Sequence, residues 1–159
     1  MAGMRVSAKA DYAVRAAVEL ATLPAEVPVK ADQIAISQDI PLRFLENILY
    51  ELRQNDIVEL GRGPDGGYYL ARPANEITVA EVISAVDGPV AAVHGHAPEE
   101  LTYLGSSKPL QSVWLALRAN VRMVLGTVSL ADVVAGALPE PVRELSAHPE
   151  ATAGHPTSP

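Results

Sequence analysis

The sequence predicts a mainly α-helical fold with one small β-hairpin. Apolar residues recur at the helical spacing i, i+3, i+4 and i+7 in several separate segments. Two short strand-like stretches flank a loop with four glycines, which is the pattern of a hairpin. The 159 residues are 48% hydrophobic, enough to bury a core in one compact domain with an appendage, or in two small units sharing a core. No apolar run approaches the roughly 20 residues that span a bilayer.

Composition excludes several classes of function. The chain has no cysteine, which excludes a disulfide framework, a catalytic thiol and any cysteine-ligated zinc or iron–sulfur site. Its net charge of −7 argues against a general polyanion binder, but not against a sequence-specific one whose few basic residues share a face. Residues 1–15 alternate charged and apolar side chains, unlike a signal peptide. We therefore expect a cytoplasmic protein.

Two helices are predicted before residue 40. The first lies between residues 5 and 23 and is ended by Pro24. Its apolar stripe consists of Val14, Ala17, Val18 and Ala21. The second is short, over residues 30–37, with Ile34 and Ala35 facing inward.

A tight break at residues 38–40 precedes a third helix. Pro41 suits its first position, where a missing N–H costs nothing, and Asp39 has the best capping chemistry of the residues before it. The apolar stripe of this helix consists of Leu45, Ile48, Leu49 and Leu52. The helix stops near residues 54–56, where Asn or Asp can adopt a left-handed conformation.

The remaining elements follow in order. Strands at 57–60 and 68–71 enclose the glycine loop, and a capping box at Thr78 and Glu81 begins a fourth helix. Residues 90–107 are irregular, a long helix spans 108–125, and a short one begins near Ser129. The proline-rich tail is expected to be disordered, because it cannot offset its ordering entropy by burial.

The order helix, short helix, tight break, helix and hairpin is that of a winged helix-turn-helix. The helix after Pro41 would then enter the major groove of DNA. Arg43, Glu46 and Asn47 face solvent there, and these side chains suit guanine, cytosine and adenine edges respectively. Arg62 and Gly63 lie at the hairpin tip, where glycine permits close approach and arginine fits a narrow minor groove. The alternative is an ordinary solvated helix face.

Other chemistries fit less well. The glycine loop lacks the Lys-Ser/Thr ending of a phosphate-binding loop and opens no helix. His94 and His96, with Glu99 and Glu100 close behind, have the chemistry of metal ligands, although such residues in a Gly/Pro-rich loop are usually only exposed polar groups. No catalytic set has distinctive spacing, so we predict no enzyme and no metal site, with a metal-responsive regulator as an alternative.

Several motifs taken together are distinctive. They are DYAVR at 11–15, IPLRFLENIL at 40–49, RGPDGGYYLAR at 62–72, ITVAEVI at 77–83, and Trp114 with the helix after it. In combination they closely resemble the Rrf-two-type (IscR/NsrR/CymR-like) family of winged-helix transcription regulators, over roughly residues 4–134.

The resemblance implies a homodimer on a pseudo-palindromic operator in double-stranded DNA. By motif position, Arg43, Glu46 and Asn47 would read bases and Arg62 would enter the minor groove. The long helix would hold the dimer through one stripe, which could instead pack within the chain: Leu110, Val113, Trp114, Leu117 and Val121. The expected domains are a DNA-binding domain at 4–88, a sensor loop at 89–107, a dimerisation helix with a following short helix at 108–138, and a disordered tail at 139–159.

The sequence departs from the family in its sensor segment. Many members bind an iron–sulfur cluster through three cysteines before the long helix, and residues 90–108 contain none. Asp11 matches the position of an oxygen ligand to the cluster in the nitric-oxide-sensing branch, but it cannot hold a cluster without thiolates. We expect no cofactor, a structural role for Asp11 near the dimer interface or the DNA backbone, and a small molecule or partner protein as effector.

The charge of the reading unit motivates a rival hypothesis. Residues 30–72 carry five basic and seven acidic side chains, a net charge of −2. Helix N-termini and backbone N–H groups can supply part of the phosphate contact, so we predict modest, strongly salt-sensitive DNA binding. The leading hypothesis is a homodimeric repressor. The rival is a protein-interaction adaptor on a winged-helix scaffold that has lost DNA binding.

Overall fold

The computed structural model describes residues 5–64 and 66–154 of the chain. It is mostly helical (58%) with one two-stranded antiparallel sheet, which confirms the predicted fold class. In chain order the named elements are α1 Ala8–Ala21, α2 Ala31–Gln38, α3 Leu42–Gln54, β1 Val58–Leu60, β2 Tyr68–Leu70, α4 Val79–Asp87, α5 Leu110–Leu125, α6 Leu130–Ala135, α7 Glu140–Ala147 and α8 Pro149–Thr152. Short 3-10 turns occur at Ala74–Glu76, Pro98–Glu100 and Gly105–Ser107.

Helix α1 lies at the centre of the core and contacts α2, α3, α4 and α6. Four of its alanines are fully buried, at Ala10, Ala13, Ala16 and Ala17. Small side chains let the neighbouring helix backbones approach closely, so α1 can be surrounded on several sides. Ser7 caps the helix by accepting a hydrogen bond from the backbone N–H of Ala10 at 3.0 Å.

The helix-turn-helix is formed by α2 and α3. The predicted stripe of α3 is buried in full, at Leu45, Ile48, Leu49 and Leu52. Asp39 does not cap α3 as expected. It ends α2 in the left-handed conformation with φ 51°, and the N-cap of α3 is Pro41, for which no described side chain supplies a capping hydrogen bond. Because Ile40 is buried in the core, the chain must turn at Asp39 to bring it inward.

The wing has three paired segments. Strands β1 and β2 pair from Val58 with Leu70 to Leu60 with Tyr68. Val29, just before α2, exchanges both backbone hydrogen bonds with Tyr68, at 2.8 and 2.7 Å. A Cβ at Gly67 would lie 2.6–2.8 Å from the backbone of Val29, so only glycine fits this close approach. The wing is therefore anchored to the segment that enters α2.

Helices α4 and α6 close the other side of the core. Thr78 caps α4 by accepting from the N–H of Glu81 at 3.2 Å, but the Glu81 carboxylate binds Arg72 at 2.7 Å, so only half of the predicted capping box forms. Ser129 and Asp132 form a full capping box at the start of α6. Buried Leu130 then donates its N–H to the carbonyl of Ile77 at 2.9 Å, which joins α6 to the segment before α4.

Helix α5 is only partly covered by the rest of the chain. Among the described residues, it contributes none to the buried core. It contacts the segment before it, where Trp114 donates from Nε1 to the hydroxyl of Tyr103 at 2.8 Å. Arg118 pairs with Glu99 at 2.5 Å. Val113 and Met123 remain 52% and 54% exposed. Much of its apolar surface is therefore free for a partner.

The tail differs from the predicted disorder. Helices α7 and α8 form between residues 140 and 152, and residues 155–159 lie outside the described part of the chain. Proline occupies an early position of each helix, where its fixed φ suits a first turn. None of the described residues of α7 is buried, so burial does not account for its order. Within residues 5–64 and 66–154, no helix combines the length and apolar character needed to cross a bilayer.

Candidate nucleic-acid interface

The outer face of α3 carries the predicted base-reading side chains. Arg43, Glu46 and Asn47 are all exposed, opposite the buried stripe of the same helix. Arg43 forms no ion pair with any described residue, so its guanidinium is free to donate hydrogen bonds. The structure thus brings these three residues together on the first two turns, where a recognition helix contacts base edges.

The start of α3 offers two further features. Since its N-cap is proline, the first-turn N–H groups lack a capping side chain among the described residues and can bind a phosphate. Phe44 is 63% exposed beside Arg43 and can contact a thymine methyl group. Phe44 is not among the residues predicted from the sequence to contact DNA. The sequence does contain a signal for it, because Phe44 is an aromatic residue that lies outside the apolar stripe of the helix and must therefore face solvent or a partner.

Two side chains of α1 fix the end of α2 and the turn that follows. Arg15 donates to the carbonyl of Gln38 at 2.8 Å. Glu19 accepts hydrogen bonds from Ser37 Oγ and Gln38 Nε2, both at 2.7 Å. Asp11 pairs with Arg15 at 2.9 Å. In this structure Asp11 therefore orients the arginine that binds the helix-turn-helix.

The wing presents Arg62 and Gly63 at its tip. Both are exposed, Gly63 has φ +91°, and Arg62 pairs with no described acidic side chain. The loop closes through Gly66 N–H to the carbonyl of Gly63 at 3.0 Å. A Cβ at Gly66 would lie 2.4 Å from the carbonyl oxygen of Gly61, so this turn also requires glycine. Because Gly61, Gly63 and Gly66 carry no side chain, the described part of the tip can approach a duplex closely.

Several acidic side chains of the reading unit are used internally. Glu59 accepts a hydrogen bond from the hydroxyl of Tyr69 at 2.9 Å, and this bond raises the pKa of Tyr69, which stays neutral. Asp32 accepts from the N–H of Gln33 at 2.9 Å. Glu51 pairs with Lys9 at 2.8 Å. Arg43 and Arg62 are unpaired among the described residues, so their positive charges are available to DNA although the reading unit is net acidic.

The predicted dimerisation residues lie on α5 with graded exposure. Leu110 and Val113 are 39% and 52% exposed. Trp114, Leu117 and Val121 are half-buried. Val121 and neighbouring Leu125 face a cavity toward α1 and α4, so the predicted stripe is divided between an outward part and an inward part.

The segment before α5 gives little support for a metal site. His94 and His96 are exposed, and His96 Nδ1 lies 3.8 Å from Glu100 Oε2. Among the described residues, no group of three or more His, Cys, Asp or Glu side chains could hold an ion. Glu99 is paired with Arg118 through its carboxylate. A hydrogen bond from its own backbone N–H, and after it the hydrogen bond from Arg118, lower the pKa of Glu99.

Comparison with known proteins gives concordant results. Residues 6–136 match the family profile described as Rrf2, iron-dependent transcriptional regulator. A Mycobacterium tuberculosis protein named as a candidate HTH-type transcriptional regulator, Rv1287, is 50% identical over 143 residues, covering 90% of this chain and 89% of its own length. The HTH-type transcriptional regulator IscR of Xenorhabdus nematophila is 39% identical over 132 residues, which cover 82% of this chain and 79% of IscR. The structure of CymR, the global cysteine regulator of B. subtilis, superposes on this chain with a TM-score of 0.70 and 27% sequence identity. The match covers 84% of this chain and 98% of the CymR chain.

The residues present do not fit an iron–sulfur cluster. Such clusters need thiolate ligands, and the sequence has no cysteine. The carboxylate of Asp11 pairs with the guanidinium of Arg15. The relatives are transcriptional regulators rather than enzymes. From the family match, the identity to these relatives and the winged-helix geometry, the chain belongs to the Rrf2 family of DNA-binding transcriptional regulators.

Proposed function

We propose that this chain is a cytoplasmic homodimeric repressor that binds a pseudo-palindromic operator and responds to an effector without an iron–sulfur cluster. The observation that carries the proposal is α5, a 16-residue helix that contributes no residue to the buried core described above. One copy offers one reading helix, and a two-fold-symmetric operator requires two. Helix α5 supplies the apolar surface through which a second copy can bind.

Each protomer would read one half-site. Arg43, Glu46 and Asn47 would contact base edges in the major groove, while Arg62 would enter the minor groove beside it. Gly63 lets the wing backbone approach the phosphates, and the uncapped start of α3 supplies N–H groups for a phosphate. Repression would follow because the bound dimer occupies the promoter.

The effector would act on the junction between α5 and the DNA-binding core. An open cavity of about 440 Å³ lies there, lined mainly by apolar residues from the start of α1, the end of α4, the loop after it and the end of α5. This volume is within the range of small-molecule sites. A ligand with different affinity for two arrangements of α5 would change the spacing of the two reading heads and so change operator occupancy.

Selection of bound duplexes from a random DNA pool tests the proposal. The purified, untagged protein is used at low and at moderate salt, and its mass in solution is measured in parallel. We expect a two-fold-symmetric motif and a dimer. A folded protein that selects no motif at either salt would contradict DNA reading and favour the adaptor hypothesis. A selected but asymmetric motif bound by a monomer would contradict only the dimer.

A further inference from the structure

We propose that Glu51 is a positioning residue for base reading. Held by Lys9 of α1, it orients the side-chain amide of Asn47 before DNA binds. This inference rests on the proposed function, in which Asn47 reads a base, and it goes further by assigning a role to two residues outside the reading set.

The geometry joins three side chains at one carboxylate oxygen. Glu51 follows Asn47 by one turn of α3, and its Oε1 accepts from Asn47 Nδ2 at 3.5 Å. The same oxygen accepts from Lys9 Nζ at 2.8 Å. Lys9 lies in the first turn of α1, 42 residues away in the chain. A central core helix is thereby connected to a side chain of the reading face.

The arrangement leaves the reading edge of Asn47 free. An asparagine amide has two N–H donors and one carbonyl acceptor, and bidentate contact with adenine uses the carbonyl and one N–H. The bond from Nδ2 to Glu51 uses one N–H, so the carbonyl and the second N–H of the amide are left for adenine. We infer that this bond restricts the rotation of the amide plane.

Lys9 is needed because the bond from Asn47 to Glu51 is long. At 3.5 Å it is too weak to hold two flexible side chains by itself. The ion pair with Lys9 is short, and the two side chains are only 34% and 29% exposed. The second oxygen of Glu51, Oε2, is buried without a hydrogen-bond partner in the described part of the chain. A carboxylate in so unfavourable a position stays there only if its first oxygen is held, which is the role of Lys9.

The test measures discrimination between base pairs, not affinity alone. Fluorescence anisotropy at fixed salt compares the selected operator with duplexes that carry a single change at each half-site position. We expect Asn47→Ala to lower discrimination at one position, from roughly tenfold to about twofold. Glu51→Ala and Lys9→Met should lower it at the same position. Glu51→Gln should retain more discrimination than Glu51→Ala, because the Gln carbonyl can still accept from Asn47 and Lys9 although the ion pair is lost.

The Asn47→Ala/Glu51→Ala double variant identifies the route of the effect. If Glu51 acts through Asn47, the double variant discriminates no worse than Asn47→Ala alone. Asp56→Asn is the matched control. It removes one negative charge near the end of α3, keeps a residue suited to φ 56°, and should leave discrimination unchanged.

Three results would overturn the inference. The first is normal discrimination in Glu51→Ala and Lys9→Met. The second is a loss shared equally by Asp56→Asn, and the third is a further loss in the double variant. Circular dichroism of each variant separates these results from unfolding, and Lys9→Met tests the same contact from the other helix. If the wild-type protein discriminates nowhere, the proposed function fails, and this inference fails with it for that separate reason.

Discussion

Arg62 combines an exposed position with the absence of an acidic partner among the described residues. We expect Arg62→Ala to weaken operator binding by about 1–3 kcal/mol, because the contact in the minor groove is lost while the fold is untouched. The dimer should stay intact by light scattering. Arg143→Ala on α7, which removes the same charge elsewhere, is the matched control. Equal operator affinity for wild type and Arg62→Ala, in one titration, would exclude the wing from the mechanism.

Glu46 is the acidic member of the reading face. We expect Glu46→Ala to relax base preference more than it lowers affinity. The variant loses an acceptor for cytosine but also loses a charge that repels phosphate. Repeating the duplex selection with the variant measures this directly. Recovery of an unchanged motif would show that Glu46 is not a reader.

At the scale of elements, the wing depends on a close contact between backbones. Since a Cβ at Gly67 would meet the backbone of Val29, Gly67→Ala should break the bridge between Val29 and Tyr68. We expect a loss of about 1–3 kcal/mol in the free energy of unfolding, with weaker operator binding. Gly154→Ala is the control, because nothing lies within 4 Å of its Cβ position. If thermal or urea unfolding shows equal stability for the two variants, the close approach of Gly67 to Val29 does not stabilise the fold.

Helix α5 gives a second prediction at this scale. Val113→Asp places a charge on the exposed apolar face, so the dimer should dissociate toward the 16.8 kDa monomer in analytical ultracentrifugation. Asn75→Asp adds the same charge at an exposed position of the 3-10 turn before α4, on a different element, and should leave the dimer intact. Dissociation by both variants, or by neither, would argue against this face as the interface.

The sequence predicted those elements whose signal is local. The stripe of α3 follows from helical periodicity, and the hairpin follows from two short strands around glycines. The third segment of the wing was not predicted, because Val29 contributes a single bridge and no alternation. Helix α7 was not predicted, because its residues bury nothing. The turn at Asp39 was misassigned, since Asp suits both an N-cap and a left-handed position.

In the candidate site, too, the sequence predicted the exposed residues but not the long-range contacts that support them. Arg43, Glu46, Asn47 and Arg62 were selected from side-chain chemistry and spacing, and the structure places all four on exposed surface. The contacts that support the reading face could not be predicted from the sequence, because they join residues that lie 18 to 42 positions apart in the chain. Arg15 with Gln38 and Lys9 with Glu51 are of this kind. Only the packing of α1 against α2 and α3 brings such pairs together.

At the scale of the whole molecule, charge should govern how the protein discriminates among DNA sequences. With a net charge of −7, the protein gains little from phosphate attraction alone. If about four phosphates are neutralised, operator affinity should fall about a hundredfold between 50 and 200 mM salt. Random duplex should not bind at physiological salt. Titrations of operator and random duplex across this range check both points, and tight binding to random duplex at high salt would contradict them.

The bridge between Val29 and Tyr68 has a consequence for local opening. Val29 lies two residues before α2, and Tyr68 begins the second strand of the wing. Neither backbone N–H can therefore be released unless the two segments separate. The wing and the entry to the reading helices should therefore behave as one cooperative unit in native-state hydrogen exchange. The amides of Val29 and Tyr68 should show the same protection and lose it together under mild denaturant. Winged-helix and helix-turn-helix parts, usually described separately, would then open as one module.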